Sequence, residues 1–246
     1  MTKLGIIPAR YASTRFPGKP LIDIDGKSMI QRVYEQACSS QSLDKVVIAT
    51  DDERIVKEIE RFGGQFVLTR PNHQSGTDRC AEVASKLPGF EVIINIQGDE
   101  PYIDPLQIDL LCSCFIDPEV KLATLIKEIH NQQELFNQNI PKVVINSRQE
   151  AIYFSRQTIP FLRSTAAEDW HTAHQYYKHI GIYGYATETL QQITRLKPSA
   201  LELAESLEQL RWIENGFKIQ TKVTDIETIA IDTPEDLEKI IRNKGN

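Results

Sequence analysis

Between residues 4 and 115 short apolar runs alternate with amphipathic ones, and this rhythm constrains the fold more than any other feature of the chain. Leu4–Ile7, Val46–Ala49, Phe66–Leu68 and Val92–Ile96 read as strands. Between the first two, Ser28–Ser39 places Met29, Ile30, Val33, Tyr34 and Ala37 at helical spacing. Thr50 and Asp51 are the expected caps of a helix carrying Ile55, Val56, Ile59 and Phe62, ended by Gly63 and Gly64. Thr77 is the expected cap of a helix with Ala81, Ala84 and Leu87, stopped at Pro88-Gly89, and Asp104-Pro105 opens another through Phe115. Strands that alternate with helices pair in parallel through right-handed crossovers, which gives a doubly wound sheet. Ligands of such sheets sit beyond the carboxyl ends of the strands.

The second half breaks the rhythm. Leu122–Ile126, Lys142–Ile145, Ala151–Phe154, Ile180–Tyr185, Ile219–Val223 and Thr228–Ile231 read as strands, Leu201–Asn215 as a helix, and Thr233-Pro234 as the start of a last helix. Residues 164–177, STAAEDWHTAHQYY, read as a mobile loop or partner contact. The expected organisation is one α/β core with a smaller lobe inserted at about 127–187, which is also the expected dimer contact through Tyr176 and Tyr177.

A net charge of −6 argues against broad binding to nucleic acid or anionic membrane, so a local cluster of cations points to a small anion. Neither a secretory signal nor a membrane span is evident, and a cytoplasmic protein is expected. The four cysteines (Cys38, Cys80, Cys112, Cys114) contain no CxxC pair and read as buried thiols.

The cations stand in IPARYASTRFPGKP, residues 7–20, where Arg10, Arg15 and Lys19 follow the first strand with no carboxylate among them. Gly18-Lys19 evokes a P-loop, but Ser13 occupies its first glycine position and Pro20 its magnesium-binding hydroxyl position; a GxGxxG fingerprint is also missing. Arginine forks, a lysine point charge and small residues that admit backbone N–H groups suit a polyphosphate. A solvated surface loop accounts for the same residues equally well. Asp99 in QGDEP follows the most strand-like run, while Asp104-Pro105 already supplies the next helix cap, which leaves Asp99 for a metal. Asp232 in AIDTPEDL is a second such carboxylate. Hard oxygens beside a phosphate cradle suit Mg2+ and phosphoryl-type transfer.

The run IPARYASTRFPGKPL closely resembles the nucleotide-binding signature of the 3-deoxy-manno-octulosonate cytidylyltransferase (CMP-KDO synthetase) family. The resemblance continues through ATDDERI, HQSGTDR, NIQGDEP, YFSRQTIP, KHIGIYGY, LEQLR and IDTPEDL, in order along nearly the whole chain. It implies a mixed, mainly parallel α/β sheet of the nucleotide-diphospho-sugar transferase (Rossmann-like) type in a cytoplasmic homodimer. It also implies transfer of CMP from CTP to an acidic octulosonate for lipopolysaccharide assembly, with Mg2+ and release of pyrophosphate. By position, Arg10, Ser13, Arg15 and Lys19 would hold the triphosphate, and Ser75 and Arg79 the cytosine and ribose, assisted by backbone at Pro8 and Ala9. Asp99 and Asp232 would bind Mg2+, and Gln97, Arg156, His179, Tyr183, Glu208 and Gln209 would line the sugar pocket. Lys19, Arg10, Asp99 and Asp232 are thus the expected catalytic set. No residue is an evident general base. The segment ETIAIDTPEDL lacks the family's usual Pro-Gly type turn, which leaves open 8-amino-KDO, or another acidic sugar such as a sialic acid. A non-catalytic nucleotide-binding module is the alternative of a different class. Without the resemblance His179 reads as structural, Tyr183 and Tyr185 as core or dimer residues, and His171 and His174 as loop residues without zinc partners.

Overall fold

The computed structural model describes the chain apart from residues 13–15, 228, 229, 232, 234 and 238–246. Ser13, Arg15, Asp232 and the first half of the expected strand at Thr228–Ile231 therefore lie outside the described residues. The chain divides into two compact units, Met1–Cys112 with the segment from Thr228 on, and Ser113–Glu227.

The first unit runs β1 (Lys3–Pro8), a short hairpin of β2 (Asp23–Ile24) and β3 (Lys27–Ser28), α1 (Met29–Cys38), β4 (Lys45–Thr50), α2 (Glu53–Phe62), β5 (Phe66–Leu68), α3 (Gly76–Lys86), β6 (Val92–Asn95) and α4 (Pro105–Cys112). Four of its strands stand in the order β6-β1-β4-β5, all parallel. The chain builds outward from β1 to β5 and then returns through α3 to place β6 on the other side of β1. That reversal opens a crevice at the carboxyl ends of β1 and β6. Leu4, Ile6, Ile7, Val47, Ile48, Ile93 and Ile94 are buried, as expected of parallel strands covered on both faces.

Two caps differ from the sequence expectation. Asp52, not Thr50 or Asp51, accepts from the Arg54 N–H at the start of α2, because its extended backbone immediately precedes the first helical residue, Glu53. Ser75, not Thr77, caps α3, in a capping box where Ser75 and Asp78 exchange side-chain to backbone bonds. Asp104 does cap α4, accepting from the Leu106 N–H at 2.8 Å. Thr233 and Asp236 likewise exchange reciprocal bonds, as the expected last helix start requires.

The second unit contains β7 (Leu122–Glu128), α5 (Gln132–Phe136), β8 (Lys142–Ile145), β9 (Ala151–Ser155), α6 (Trp170–Ala173), β10 (Tyr177–Ala186), α7 (Thr187–Ile193), α8 (Ala200–Glu205), α9 (Gln209–Glu214) and β11 (Gln220–Val223). β11 joins β7 in parallel, while β7, β10, β8 and β9 pair antiparallel in that order. The expected helix over Leu201–Asn215 is two helices. Ser206 takes a left-handed φ of 52° and ends α8, and Arg211 then grips Glu202 through two bonds of 2.8 and 2.5 Å. Residues 164–177 are not a bare loop, because Trp170 and Tyr176 are buried with Ile129 and Leu135. Tyr176 thus fills a core and offers no surface. All four cysteines are free, three buried and Cys38 exposed.

Candidate active site

The crevice beyond β1 and β6 holds a cleft of about 240 Å³, lined by Pro8, Ala9, Arg10, Lys19, Pro20, His73, Ser75, Gly76, Arg79, Asn95, Gln97, Gly98 and Asp99. Of the expected nucleotide residues, Pro8, Ala9, Arg10, Lys19, Ser75 and Arg79 meet here, together with Gln97 and Asp99.

Local geometry explains how the basic loop reaches the cleft. Gly18 has a φ of +74° and donates its N–H to the Tyr11 carbonyl at 3.0 Å, closing the loop in a conformation that favours glycine. The short 3₁₀ turn Lys19–Leu21, with Pro20 buried, then carries Lys19 to the rim. Its Nζ lies 2.8 Å from Asp99 Oδ2, with side-chain exposures of 14% and 27%. The main chain of Asp99 is fixed by the Ile231 N–H, which donates to its carbonyl at 2.9 Å. Asp232 follows Ile231 directly in the chain.

Two glycines let the backbone close around the cleft. A Cβ on Gly98 would stand 2.8 Å from the Pro8 carbonyl oxygen, and one on Gly76 would touch Pro8 at 3.4 Å. Gly98→Ala is therefore expected to force a main-chain shift, at a cost of roughly 1–3 kcal/mol. The expected result is a melting temperature several degrees lower; an unchanged melt would show that the strand end tolerates the shift.

Arg79 is only 3% exposed, with Nη2 2.8 Å from Asp51 Oδ1 and Nη1 donating to Thr69 Oγ1. His73, which the sequence reading passed over within HQSGTDR, meets Glu82 through Nε2. Burial works against ionising Glu82, yet the Lys86 ammonium 2.7 Å away, the Arg70 N–H and His73 bring its pKa down to about 2. Asn95 was also passed over. It stands at the end of β6, 4% exposed, and its Oδ1 has no hydrogen-bond partner among the described residues. Its place two residues before QGDEP, at the end of an otherwise apolar strand, was the available signal.

Five of the six expected sugar residues lie in the second unit: Arg156, His179, Tyr183, Glu208 and Gln209. Thr124, His179 and Tyr183 come together because β10 bulges between Ile180 and Tyr183 where it pairs with β7. Four residues along a regular strand span about 13 Å, yet the His179 and Tyr183 ring centroids are 5.2 Å apart. Thr124 Oγ1 lies 2.7 Å from the Ile182 carbonyl and 3.2 Å from His179 Nε2. Its single proton serves the carbonyl, so it accepts from His179 Nε2–H. Tyr183 meets Trp212 edge to face at 5.1 Å. Gln209 is buried, and its Nε2 has no partner among the described residues. Arg156 is turned to the main chain, with Nε donating to the Glu205 carbonyl at 2.7 Å and Nη2 to that of Ser206 at 3.3 Å. It fastens the break between α8 and α9 that precedes Glu208 and Gln209. A larger cleft of about 530 Å³ also lies in this unit, but its Arg148 and Lys218 are engaged by Glu150.

Burial pushes the pKa of His179 down to about 4. The folded chain then favours neutral imidazole, whereas the unfolded chain takes up a proton below about 6.5. Stability is thus fully present above pH 6.5 and falls as pH drops from about 6.5 to about 4. Glu82 and Glu150, both near 2, lose their contributions only below about 4.5. Urea melts at pH 7 and 5 should therefore differ less for His179→Phe than for the parent chain; equal losses in both would move the effect to another group.

A parallel sheet whose order reverses beside β1, with cations and a carboxylate in the crevice outside that reversal, is the doubly wound α/β arrangement whose ligands bind beyond the strand ends, and its charges suit an anion. The family model for cytidylyltransferases matches residues 4–241. The 3-deoxy-manno-octulosonate cytidylyltransferase of Cytophaga hutchinsonii is 60% identical over 96% of this chain and 95% of that protein, and its Bacteroides thetaiotaomicron counterpart is 54% identical over 100% of both. The chain belongs to the 3-deoxy-manno-octulosonate cytidylyltransferase family. A solved CMP:2-keto-3-deoxy-manno-octonic acid synthetase complexed with CTP is similar at 42% identity and a TM-score of 0.92, covering 100% of this chain and 99% of that one. A 4-diphosphocytidyl-2C-methyl-D-erythritol synthase from Anaerococcus prevotii shares the fold alone, at 12% identity and a TM-score of 0.65.

Proposed function

We propose that this chain transfers CMP from CTP to 3-deoxy-manno-octulosonate. The observation that carries the reading is the Lys19–Asp99 pair in the cleft at the switch point of the sheet, in a chain alike to its relatives from end to end. The anomeric hydroxyl oxygen forms a bond to the α-phosphorus of CTP, the bond from that phosphorus to the β-phosphate bridging oxygen breaks, and pyrophosphate leaves. The hydroxyl proton passes to solvent. Lys19 and Arg10 bind the triphosphate and counter the charge that gathers on the departing pyrophosphate. Gly98 and Gly76 let the backbone approach the nucleotide.

Magnesium is part of this reading. Among the described residues no cluster of three or more His, Cys, Asp or Glu could hold a metal. One or two carboxylates with substrate phosphates are nonetheless the usual magnesium set, and Asp99 stands on the rim of the cleft. Asp99 and Asp232 would hold the ion, which supplies charge neutralisation at the α-phosphate. Ser13 and Arg15 complete the triphosphate set. Gln209 Nε2, a buried donor without an acceptor among the described residues, suits an oxygen of the acidic sugar, alongside His179, Tyr183 and Glu208. The chain works in the cytoplasm, where CTP is available. It acts as a homodimer, for which the aromatic face of the second unit, with Phe161 72% exposed edge-on against Trp170, offers a surface.

Pyrophosphate release with CTP, Mg2+ and a panel of acidic sugars tests the reading. Turnover with 3-deoxy-manno-octulosonate is expected, and its absence while a sialic acid reacts would assign another substrate.

A further inference from the structure

Tyr11 and Gly18 form the neck of the basic loop. The Tyr11 carbonyl accepts the Gly18 N–H at 3.0 Å, and a Cβ on Gly18 would lie 3.2 Å from the Tyr11 phenol oxygen, so the ring packs against the glycine. The chain thus leaves β1, closes on itself at this neck and passes directly into Lys19. One main-chain bond and one ring contact are weak by themselves, since a single hydrogen bond near the surface is worth only about 1 kcal/mol.

The ring is also held from outside the loop. The Arg54 guanidinium, in the first turn of α2, lies over it with its carbon 3.3 Å from the ring centroid. Arg54 is exposed, so burial does not explain its setting. Its fork on Asp52 does: Nε reaches Oδ1 at 2.9 Å and Nη2 reaches Oδ2 at 2.6 Å. Asp52 is fixed in turn, because Oδ1 accepts the Arg54 N–H at 2.9 Å and the Asp52 N–H meets Thr50 Oγ1 at the end of β4. A fork on a carboxylate sets the plane of the guanidinium, and a set plane is a platform for an aromatic face. Its charge is already matched by Asp52, which makes it a poor phosphate ligand. Neither Tyr11 nor Arg54 is among the described residues that line the cleft.

We infer that Arg54 and Tyr11 form a stacked latch that fixes the neck of the basic loop and, through Gly18, the place of Lys19. Both are positioning residues for the triphosphate, and the inference rests on the reading of Lys19 as a triphosphate ligand. The latch raises the fraction of chains whose loop is set for the anion, and apparent affinity follows that fraction.

Titration calorimetry of the full chain with inorganic tripolyphosphate and with CTP, and amide exchange at Gly18 followed by NMR, test the latch. In Tyr11→Ala and in Arg54→Ala both anions are expected to bind about three- to tenfold more weakly, and the Gly18 N–H should exchange about threefold faster or more. Tyr11→Phe keeps the ring and should stay within about twofold of the parent. At saturating CTP kcat should stay within about twofold in both alanine variants, because only the population of the set loop has changed. The double variant should lose no more than the weaker single one; additive losses would put Arg54 on the anion directly and overturn the proposal. A folded Tyr11→Ala with parent tripolyphosphate affinity overturns it too, and so does a Tyr11→Phe as weak as Tyr11→Ala, which would make the hydroxyl the contact. The exposed Arg54→Ala carries the test if Tyr11→Ala does not fold. A parent chain that binds neither anion would remove the nucleotide reading, and Gly18 exchange in the free chain would then decide the latch alone, unchanged exchange in Arg54→Ala overturning it.

Discussion

Asp99→Asn is expected to lower kcat by about 100- to 1,000-fold while the chain stays folded. The substitution keeps the shape of the side chain and removes its charge. In the structure that charge faces Lys19 at 2.8 Å from a partly exposed position. A pair in that setting contributes only about 1 kcal/mol to folding, so the melting temperature should move by a few degrees at most. The loss belongs to the reaction, because Asp99 is the described carboxylate on the rim of the cleft that would hold magnesium against the α-phosphate. It should therefore fall on kcat, with CTP affinity changed far less. The neutral amide also removes the carboxylate charge that competes with phosphate for the Lys19 ammonium, which favours the triphosphate and makes a modest gain in CTP affinity compatible with a large loss of turnover. Single-turnover rates and titration calorimetry on the same sample separate the two. Near-parent turnover in a folded Asp99→Asn chain would take Asp99 out of the chemistry.

Much of the first unit was legible because its signals are local. The strand–helix rhythm depends on which faces are buried, and it is the same in sequence and structure for β1, β4, β5 and β6. The cap positions were read one to two residues away because Thr50, Asp51 and Asp52 all have capping side chains; only backbone geometry selects Asp52. The second unit was harder to read. Ser206 carries no glycine-like signal for a left-handed turn, so the α8–α9 break was invisible. The bulge in β10 depends on its pairing with β7, which lies some 55 residues away for the Thr124–His179 contact. The sequence motifs pointed at charged residues and passed over Asn95 and His73, because an amide at a strand end looks unremarkable until its surroundings leave it without a donor.

Lys19→Ala should weaken CTP binding by about 10- to 100-fold, the range expected for loss of a charge-assisted hydrogen bond. Arg10 is exposed and Arg79 is engaged with Asp51, so Lys19 is the partly buried cation on the rim that the loop geometry presents to the cleft. Its position depends on Gly18, whose φ of +74° turns the chain, and on Pro20, which is buried just after it. The charge acts on phosphate and not on the nucleoside, so tripolyphosphate and CTP should lose affinity in the same proportion. Lys19→Arg should restore only part of the affinity, because a planar fork cannot replace a compact ammonium in a rim position shaped around Asp99. The KM for the sugar should change little. Calorimetry with CTP and tripolyphosphate at two salt concentrations measures the first effect, and the salt dependence should weaken as the charge is lost. An effect confined to the sugar KM would place Lys19 at the acceptor instead.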